Sequence, residues 1–304
     1  MSLIVENITK LYGQQKAVDD LSFTVKKGEI LGFLGPNGAG KSTTMKIVSG
    51  YLAPTSGTVQ VCGHDIATDG LAARQHIGYL PEHNPLYLDM YVKEYLQFVA
   101  GLHNLNRKSE RIKEVMELTG LVKEGHKKLG ALSKGYRQRV GLAQAMIHDP
   151  DILILDEPTS GLDMNQLVDI RALIKNLGQE KIVILSTHIM QEVQALCDRV
   201  IIINNGRLVA DDPIGELPSR IRGGDKISVT LTSPITDVSS ITAIAGVTDV
   251  QVTGATLIVT ASSDVRPAIF AAVVNEGWVL IEMTLQSINV EHIFQQLTKE
   301  QADV

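Results

Sequence analysis

Cysteine, aromatic residues and long apolar runs are scarce in this 304-residue sequence, and each shortage excludes a kind of protein. The two cysteines, Cys62 and Cys197, lack the spacing of a disulfide framework, a metal site or a redox pair, so we expect reduced thiols. The apolar runs, such as the one around Val200–Ile203, fall far short of the ~20 residues that a membrane-spanning helix needs. The opening MSLIVENITKLYG has no apolar signal core. We therefore expect a chain that does not span a membrane and that reaches one only through a partner.

An excess of positive charge is also missing. The formal net charge is −6, and residues 221–304 hold nine acidic against four basic residues, while residues 1–220 are nearly balanced. Proteins that bind nucleic acid concentrate lysine and arginine on one surface. We therefore expect no nucleic-acid partner. The 44% apolar content is enough for packed cores, and the length suggests two domains.

The first two thirds of the chain have the pattern of a layered α/β protein. Helical periodicity covers Val92–Leu121 in two segments, VKEYLQFVAGL and SERIKEVMELTGL, and Ser109 indicates the start of the second helix. A further helix is expected from Ser133 to about Ile147. Three continuous apolar runs, DILILD, KIVILS and RVIIINNGR, are typical of strands buried on both faces of a parallel sheet. Shorter strands are predicted at Leu3–Ile8, Leu21–Val25, Glu29–Leu34 and Gly57–Val61. The order of strands and helices favours an α/β fold.

The composition changes after Pro218 and the Gly223–Gly224 pair, and we place a domain boundary after residue 220. Helices are expected at Ile235–Ile244 and Asp264–Asn275, with a last helix around Val290–Leu297. Strands are expected at KISVTLT, VTDVQVTG, ATLIVTAS and WVLIEMTL. The resulting order βαββαβ predicts a small split-βαβ sandwich over residues 221–304, in which Trp278 belongs to the core.

The segment Gly35–Thr43 reads GPNGAGKST and fits the pattern G-x-x-x-x-G-K-[ST] at every fixed position. It follows a predicted strand and opens a predicted helix, Lys41–Ser49, where backbone N–H groups and the helix dipole attract an anion. A glycine turn without function is the alternative, but it explains neither the lysine nor the hydroxyls. The candidate phosphate-binding residues are Gly35, Asn37, Gly38, Ala39, Gly40, Lys41, Ser42 and Thr43. Lys41 would reach the β- and γ-phosphates, and the Ser42 hydroxyl would hold Mg²⁺.

Two adjacent acids end the apolar run DILILD, at Asp156 and Glu157. Neighbouring residues at the end of a strand point in different directions, so one acid can serve a metal ion and the other a nucleophile. Asp156 would bind Mg²⁺ through water, and Glu157 would polarise an attacking water molecule. By itself the pair could equally be a polar strand terminus; beside a phosphate loop it indicates nucleotide hydrolysis.

Three further motifs accompany these two in a fixed order: LSKGYRQ at Leu132–Gln138, SGLD at Ser160–Asp163 and STH at Ser186–His188. The ordered set resembles the ATP-binding subunit of ABC transporters over roughly residues 1–220. Tyr12, 23 residues before Gly35, matches the aromatic residue on which the family stacks adenine, although a packed surface aromatic would look the same. The tail resembles, less specifically, the C-terminal extension of drug-export and ABC-2-type ATPases. The stretch GYLPEHNPLY resembles the ATPase subunits of gliding-motility ABC exporters.

The resemblance implies an α/β fold: a P-loop ABC ATPase core with antiparallel β and α-helical subdomains, the latter at about 85–148, plus a small α+β C-terminal domain. It also implies that two copies associate head to tail, sandwich two MgATP molecules and drive a separate transmembrane permease, as an exporter. The protein would then be cytoplasmic and peripheral on the inner face of the cell membrane. Across the dimer, Ser133, Lys134 and Gly135 would bind the γ-phosphate, and Asp163 would organise the opposite site. Glu157 would be the general base and His188 would contact the γ-phosphate.

The sequence departs from the family pattern at two places. Lys134 and Tyr136 replace a glycine and the glutamine of the usual LSGGQ, which leaves backbone donors and adds a positive charge. Glu82 stands where the family has a glutamine that touches Mg²⁺ and couples to the permease. It could still offer the metal an oxygen, or it could be a solvated loop acid.

The sequence allows a rival function for the whole chain and two roles for its C-terminal domain. A soluble ABC ATPase that acts on ribosomes or DNA is disfavoured by the single motif set, the lack of heptads and the acidic balance. The C-terminal domain could bind a small-molecule regulator or could stabilise the dimer, since four strands and two helices are too general a fold to imply a ligand.

Overall fold

The computed structural model describes residues 2–103, 105–217 and 225–286. The chain divides into two compact units, Met1–Ile214 and Gly215–Val304. The boundary that we predicted after residue 220 and the helix that we predicted at Val290–Leu297 both lie outside the described residues. Among the described residues, no helix combines the length and apolar character needed to cross a membrane.

The first unit contains ten strands and seven α-helices among its described residues. The strands are β1 (Ser2–Tyr12), β2 (Gln15–Lys26), β3 (Ile30–Leu34), β4 (Ser56–Val61), β5 (His64–Asp65), β6 (Ile77–Leu80), β7 (Ile152–Asp156), β8 (Ile182–Thr187), β9 (Arg199–Asn204) and β10 (Arg207–Pro213). The helices are α1 (Lys41–Val48), α2 (Gly70–Gln75), α3 (Val92–Leu102), α4 (Lys108–Leu118), α5 (Lys134–Met146), α6 (Met164–Gly178) and α7 (Met190–Leu196).

Two sheets share one core in this unit. The antiparallel sheet has the strand order β2-β1-β4-β5, and the larger sheet has the order β10-β9-β3-β8-β7-β6. In the larger sheet β9, β3, β8, β7 and β6 pair in parallel, while β10 returns antiparallel to β9. Every residue of β3, β7 and β8 is buried. The prediction that continuous apolar runs form strands covered on both faces is therefore confirmed.

The helical region agrees with the sequence expectation. The two periodic segments predicted within Val92–Leu121 form α3 and α4, which pack on each other, and α4 begins at Lys108, one residue before the start predicted at Ser109. α5 begins at Lys134, one residue after the predicted start, since Ser133 is its N-cap and accepts a hydrogen bond from the Tyr136 N–H.

Within the described residues 225–286, the second unit contains a four-stranded antiparallel sheet and two α-helices. Its elements are β11 (Asp225–Leu231), α8 (Ser239–Thr242), β12 (Val247–Thr253), β13 (Thr256–Ala261), α9 (Arg266–Asn275) and β14 (Leu280–Gln286). The strand order β12-β13-β11-β14 places β13 between β11 and β12, which is the split-βαβ arrangement that the sequence predicts. The first helix is shorter than the predicted Ile235–Ile244. Trp278 packs against the apolar core of this unit, as expected.

Candidate active site

The phosphate loop connects β3 to α1 and approaches neighbouring backbone so closely that two of its positions admit only glycine. A Cβ on Gly35 would lie 2.6 Å from the Ile203 carbonyl oxygen, and one on Gly40 would lie 2.3 Å from the Ala17 carbonyl oxygen. Gly40 is also the N-cap of α1 with a φ of 106°, in the left-handed region that favours glycine. The loop is thus fixed as a cradle whose inner surface is backbone at the N-terminus of a helix, which suits a phosphate group.

Lys41 folds back over this loop. Its Nζ donates hydrogen bonds to the carbonyl oxygens of Gly35, at 2.7 Å, and Pro36, at 3.2 Å. Burial lowers the pKa of the Lys41 ammonium, and the nearby carboxylates of Glu157 and Asp156 oppose that shift. The ammonium therefore sits inside the loop among negative groups, where a polyphosphate could replace the carbonyl contacts.

A cavity of about 400 Å³ opens beside the loop. Its walls come from the loop, from the segment after β6, from the ends of β7 and β8, and from β2. The lining residues are Ala17, Asn37, Gly38, Gly40, Lys41, Ser42, Thr43, Glu82, Glu157, Ser160 and His188. Residues more than 100 positions apart meet here because the carboxyl ends of parallel strands lie at one edge of the sheet.

Ala17 is the lining residue that sequence reasoning missed. It lies in β2, outside every motif, and its side chain carries no chemistry. Its carbonyl oxygen is the atom that a Cβ on Gly40 would strike, so Ala17 shapes the cavity through its backbone. A methyl side chain in a strand gives no sequence signal for such a role.

Asp156 is the last residue of β7 and is buried, with 2% of its surface exposed. Its Oδ1 accepts hydrogen bonds from the Ser186 hydroxyl and from the Ser42 hydroxyl, the latter at 3.2 Å. Two of the three residues predicted to serve the metal ion, Ser42 and Asp156, therefore face each other. Oxygen ligands of this kind, a carboxylate and a hydroxyl beside a phosphate cradle, fit Mg²⁺.

Glu157 adopts a left-handed conformation with a φ of 52°, which is uncommon for a residue other than glycine. Its N–H donates to the Ser186 carbonyl oxygen at 3.2 Å. Because of this turn at the end of β7, the side chains of Glu157 and Asp156 point in different directions. Backbone strain of this kind concentrates at functional sites.

His188 contacts Glu157 directly, with 2.9 Å between His188 Nδ1 and Glu157 Oε1. Burial raises the pKa of the Glu157 carboxyl, while the hydrogen bond and positive charge of His188 act in the opposite direction. Glu157 is thus a largely buried carboxylate, held in place by an imidazole, at the rim of the phosphate cavity. That arrangement suits a general base.

The other predicted site residues lie outside the cavity of their own chain. Ser133 is exposed at the start of α5, and Asp163 caps α6 by accepting a hydrogen bond from the Gln166 N–H at 2.9 Å. The Lys134 side chain lies over Gly161, where a Cβ would come 2.5 Å from Lys134 Nζ. Tyr12 is half exposed, with the Lys10 ammonium 5.7 Å from its ring centre. Ser133, Lys134, Gly135, Asp163 and Tyr12 therefore complete no site within one copy.

Known proteins resemble this chain in sequence and in fold. Residues 18–160 match the ABC transporter family. The bacitracin transport ATP-binding protein BcrA of Bacillus licheniformis is 39% identical over 226 residues, 73% of this chain and 74% of BcrA. The linearmycin resistance ATP-binding protein LnrL of Bacillus subtilis (strain 168) is 35% identical over 305 residues, 97% of this chain and 98% of LnrL. The dimeric post-hydrolysis structure of the ATP-binding cassette MJ0796 bound to ADP and Pi aligns with a TM-score of 0.65 at 25% identity, over 70% of this chain and 98% of that one.

The chain therefore belongs to the ATP-binding proteins of ABC transporters. The expected fold class, an ABC ATPase core with a small α+β domain appended, is confirmed. Both relatives are named for drug transport or resistance, so the rival class that acts on ribosomes or DNA is not favoured.

Proposed function

We propose that this chain binds MgATP in the cavity beside Gly35–Thr43, hydrolyses it, and thereby drives a separate permease. One observation supports this most directly: the phosphate loop, Asp156, Glu157 and His188 converge on one cavity although they are far apart in sequence. The family supplies the reaction class, which is phosphoryl transfer to water.

Ser42 and Asp156 would hold the magnesium ion, with Glu82 available from the opposite wall of the cavity. When bound, the ion neutralises charge on the transferred phosphate. Glu82 carries a negative charge that the family's usual glutamine lacks. Glu82 lines the cavity while about half of its side chain stays exposed, and we assign it to the metal side of the site.

Glu157 would take a proton from the attacking water molecule as that water bonds to the γ-phosphorus and the bond to ADP breaks. Its raised pKa makes it a stronger base than an exposed glutamate, and general-base catalysis is most effective when the pKa of the base approaches the working pH. His188 would orient the carboxylate and contact the γ-phosphate.

Replacing His188 should move the acidic limb of the pH–rate profile to higher pH. Glu157 accepts a proton only when ionised, so turnover falls as the pH drops through the pKa of its carboxyl. His188 lowers that pKa, and His188→Ala removes this effect, so the pKa rises and activity is lost at a higher pH than in the native protein. Phosphate release at saturating MgATP, measured across the pH range, tests this. The exposed His126→Ala is the control, and a limb that stays in place or moves to lower pH would refute the coupling.

A second copy would complete the site. Of the LSKGYRQ and SGLD segments, Ser160 alone lines the cavity of its own chain, whereas Ser133, Lys134, Gly135 and Asp163 do not, and Ser133 is exposed. The related MJ0796 cassette is described as a dimer. We therefore assign Ser133, Lys134, Gly135 and Asp163 to the site of the opposite copy, and Tyr12 to the adenine.

The permease would dock in the helical region. A groove of about 340 Å³ follows the segment after Glu82 and is lined by several aromatic side chains. Tyr87, Phe98 and Leu102 are 58%, 43% and 67% exposed there, although their rings and branches are apolar. Exposed apolar side chains collected at one groove are typical of a protein-binding surface. Through this contact the protein would be held at the inner face of the cell membrane.

A pull-down from native membranes in mild detergent tests the transporter assignment. We expect mass spectrometry to identify a polytopic membrane protein with the native chain. Phe98→Asp should reduce its recovery at least about tenfold, since a buried unpaired charge costs more than 1.4 kcal/mol. Val122→Asp, an equally exposed apolar position outside the groove, is the control. Recovery of ribosomal or DNA-repair proteins without a permease would leave the ATPase chemistry intact and overturn the transport assignment.

The finer assignments rest on sequence likeness. Export is proposed because BcrA and LnrL are named for drug transport and resistance. A role in gliding motility is proposed only from the stretch GYLPEHNPLY. The second unit is proposed to stabilise the dimer or to bind a regulator, and the LnrL match extends over it.

A further inference from the structure

A second cluster of reactive side chains lies away from the nucleotide cavity. Cys62 stands in the turn between β4 and β5, His76 directly before β6, and Asp151 directly before β7. One possible ligand atom from each of the three lies within 4.8 Å of the other two. None of these residues lines the nucleotide cavity.

The backbone fixes all three positions. His76 and Asp151 precede adjacent parallel strands, and the Ile152 N–H donates to the His76 carbonyl oxygen at 2.9 Å. Cys62 occupies a tight turn with a φ of 51°, and its N–H donates to the Ser2 carbonyl oxygen at 2.9 Å. The cluster thus needs little ordering before it can bind a ligand.

The side chains are oriented as in a metal site. His76 Nδ1 lies 2.5 Å from Asp151 Oδ2, so an imidazole nitrogen and a carboxylate oxygen already face each other, and a bound ion would replace their hydrogen bond. The His64 ring stacks on the His76 ring with centres 5.6 Å apart, and Asp69 holds His64 Nδ1 at 2.5 Å. The side chains of His76 and Asp151 are 33% and 24% exposed, which leaves a path for an ion.

We propose that Cys62, His76 and Asp151 form a binding site for a divalent transition-metal ion of the zinc type. The site joins the turn of the antiparallel sheet to the edge of the parallel sheet. A thiolate, an imidazole and a carboxylate together select zinc over magnesium, which takes oxygen ligands. Water supplies the fourth ligand of a tetrahedral ion.

The observed spacing is compatible with such an ion. Bonds of about 2.0–2.3 Å in a tetrahedral site separate the ligand atoms by roughly 3.3–3.8 Å. The candidate ligand atoms lie no more than 4.8 Å apart, and His76 Nδ1 and Asp151 Oδ2 are closer than these separations, at 2.5 Å, so modest side-chain rotations would bring the three atoms to tetrahedral spacing. Cys62 is suited to this role because it is only half-buried, whereas Cys197 is 9% exposed.

The test uses the full-length protein, freed of metal with a chelator and kept without nucleotide. Calorimetry with Zn²⁺ alone gives the stoichiometry, and Co²⁺ substitution gives a thiolate-to-cobalt absorption band that carboxylates cannot produce. The variants are Cys62→Ser and His76→Gln, with the exposed His126→Ala as the matched control. Circular dichroism and ATP binding establish that each variant is folded.

We expect one zinc ion per chain, a cobalt–thiolate band, and a melting temperature raised by roughly 5 °C or more at about 100 times the Kd. Each cluster variant should weaken zinc binding by at least about 10–100-fold, and Cys62→Ser should abolish the cobalt band. His126→Ala should change neither, and excess Mg²⁺ should not compete. If no cobalt–thiolate band appears, or if folded Cys62→Ser binds zinc as tightly as the native chain, the ion binds elsewhere and the proposal is overturned.

Discussion

Replacing Glu157 with glutamine should lower ATP turnover by about 10²–10⁴-fold, the usual contribution of a general base, while ATP binding persists. The amide keeps the size of the side chain and can still hydrogen-bond to His188, which lies 2.9 Å from the carboxylate. It cannot take a proton from water. Lys41 and the phosphate loop, which would bind the nucleotide, are untouched by the change.

Two measurements distinguish the expected loss of turnover from the expected retention of ATP binding. Phosphate release at saturating MgATP reports turnover, and titration with a fluorescent ATP analogue reports binding. Glu110→Gln is the matched control, because that carboxylate is exposed on α4 and its loss should change neither quantity. Unchanged turnover in Glu157→Gln would exclude this residue as the base.

Replacing Ser133 with arginine should prevent the ATP-dependent dimer while a single copy still binds ATP. Ser133 is exposed at the N-cap of α5, and the proposed dimer places it against the phosphate loop of the second copy. An arginine there adds bulk and a positive charge beside Lys41 of that loop. Like charges forced together across an interface cost several kcal/mol, so the dimer dissociation constant should rise at least about 100-fold.

Light scattering with and without ATP measures dimer formation. The measurement uses a Glu157→Gln background so that ATP hydrolysis does not dissociate the dimer. Ser133→Ala removes the helix cap and the proposed hydroxyl contact to the γ-phosphate but adds neither bulk nor charge, so it should weaken the dimer less than Ser133→Arg. Ser109→Arg adds the same bulk and charge at another exposed serine and should have no effect. A normal ATP-induced dimer in Ser133→Arg would contradict the proposed interface.

The long buried strands were predictable because their signal is local. In β7 and β8 every side chain faces protein, so the apolar run is continuous and points to a strand without knowledge of its neighbours. α6 was not predicted. Met164 and Val168 lie on its exposed side, at 79% and 61%, so apolar residues occur on both faces and the helical period is blurred.

The shortest elements were also beyond sequence reasoning. α2 and α7 have six and seven residues, too few for a period of 3.6 to stand out. The helix predicted at Ile235–Ile244 contracts to Ser239–Thr242, since one helical turn satisfies the packing of Ile241 against the sheet. In these places tertiary packing, and not the local pattern, sets the boundaries.

The sequence by itself predicted the phosphate cradle, because nine consecutive residues contain the glycines, the lysine and the hydroxyls that we propose to bind phosphate. It also determined the family, through five motifs in order. Only the tertiary structure decided which distant residues meet. Ser42 faces Asp156 and His188 faces Glu157 because β3, β8 and β7 are neighbours in the parallel sheet. His76 and Asp151 are neighbours because β6 and β7 pair, and the packing of the antiparallel sheet brings Cys62 to them. Long-range packing of this kind is not encoded in spacing along the chain.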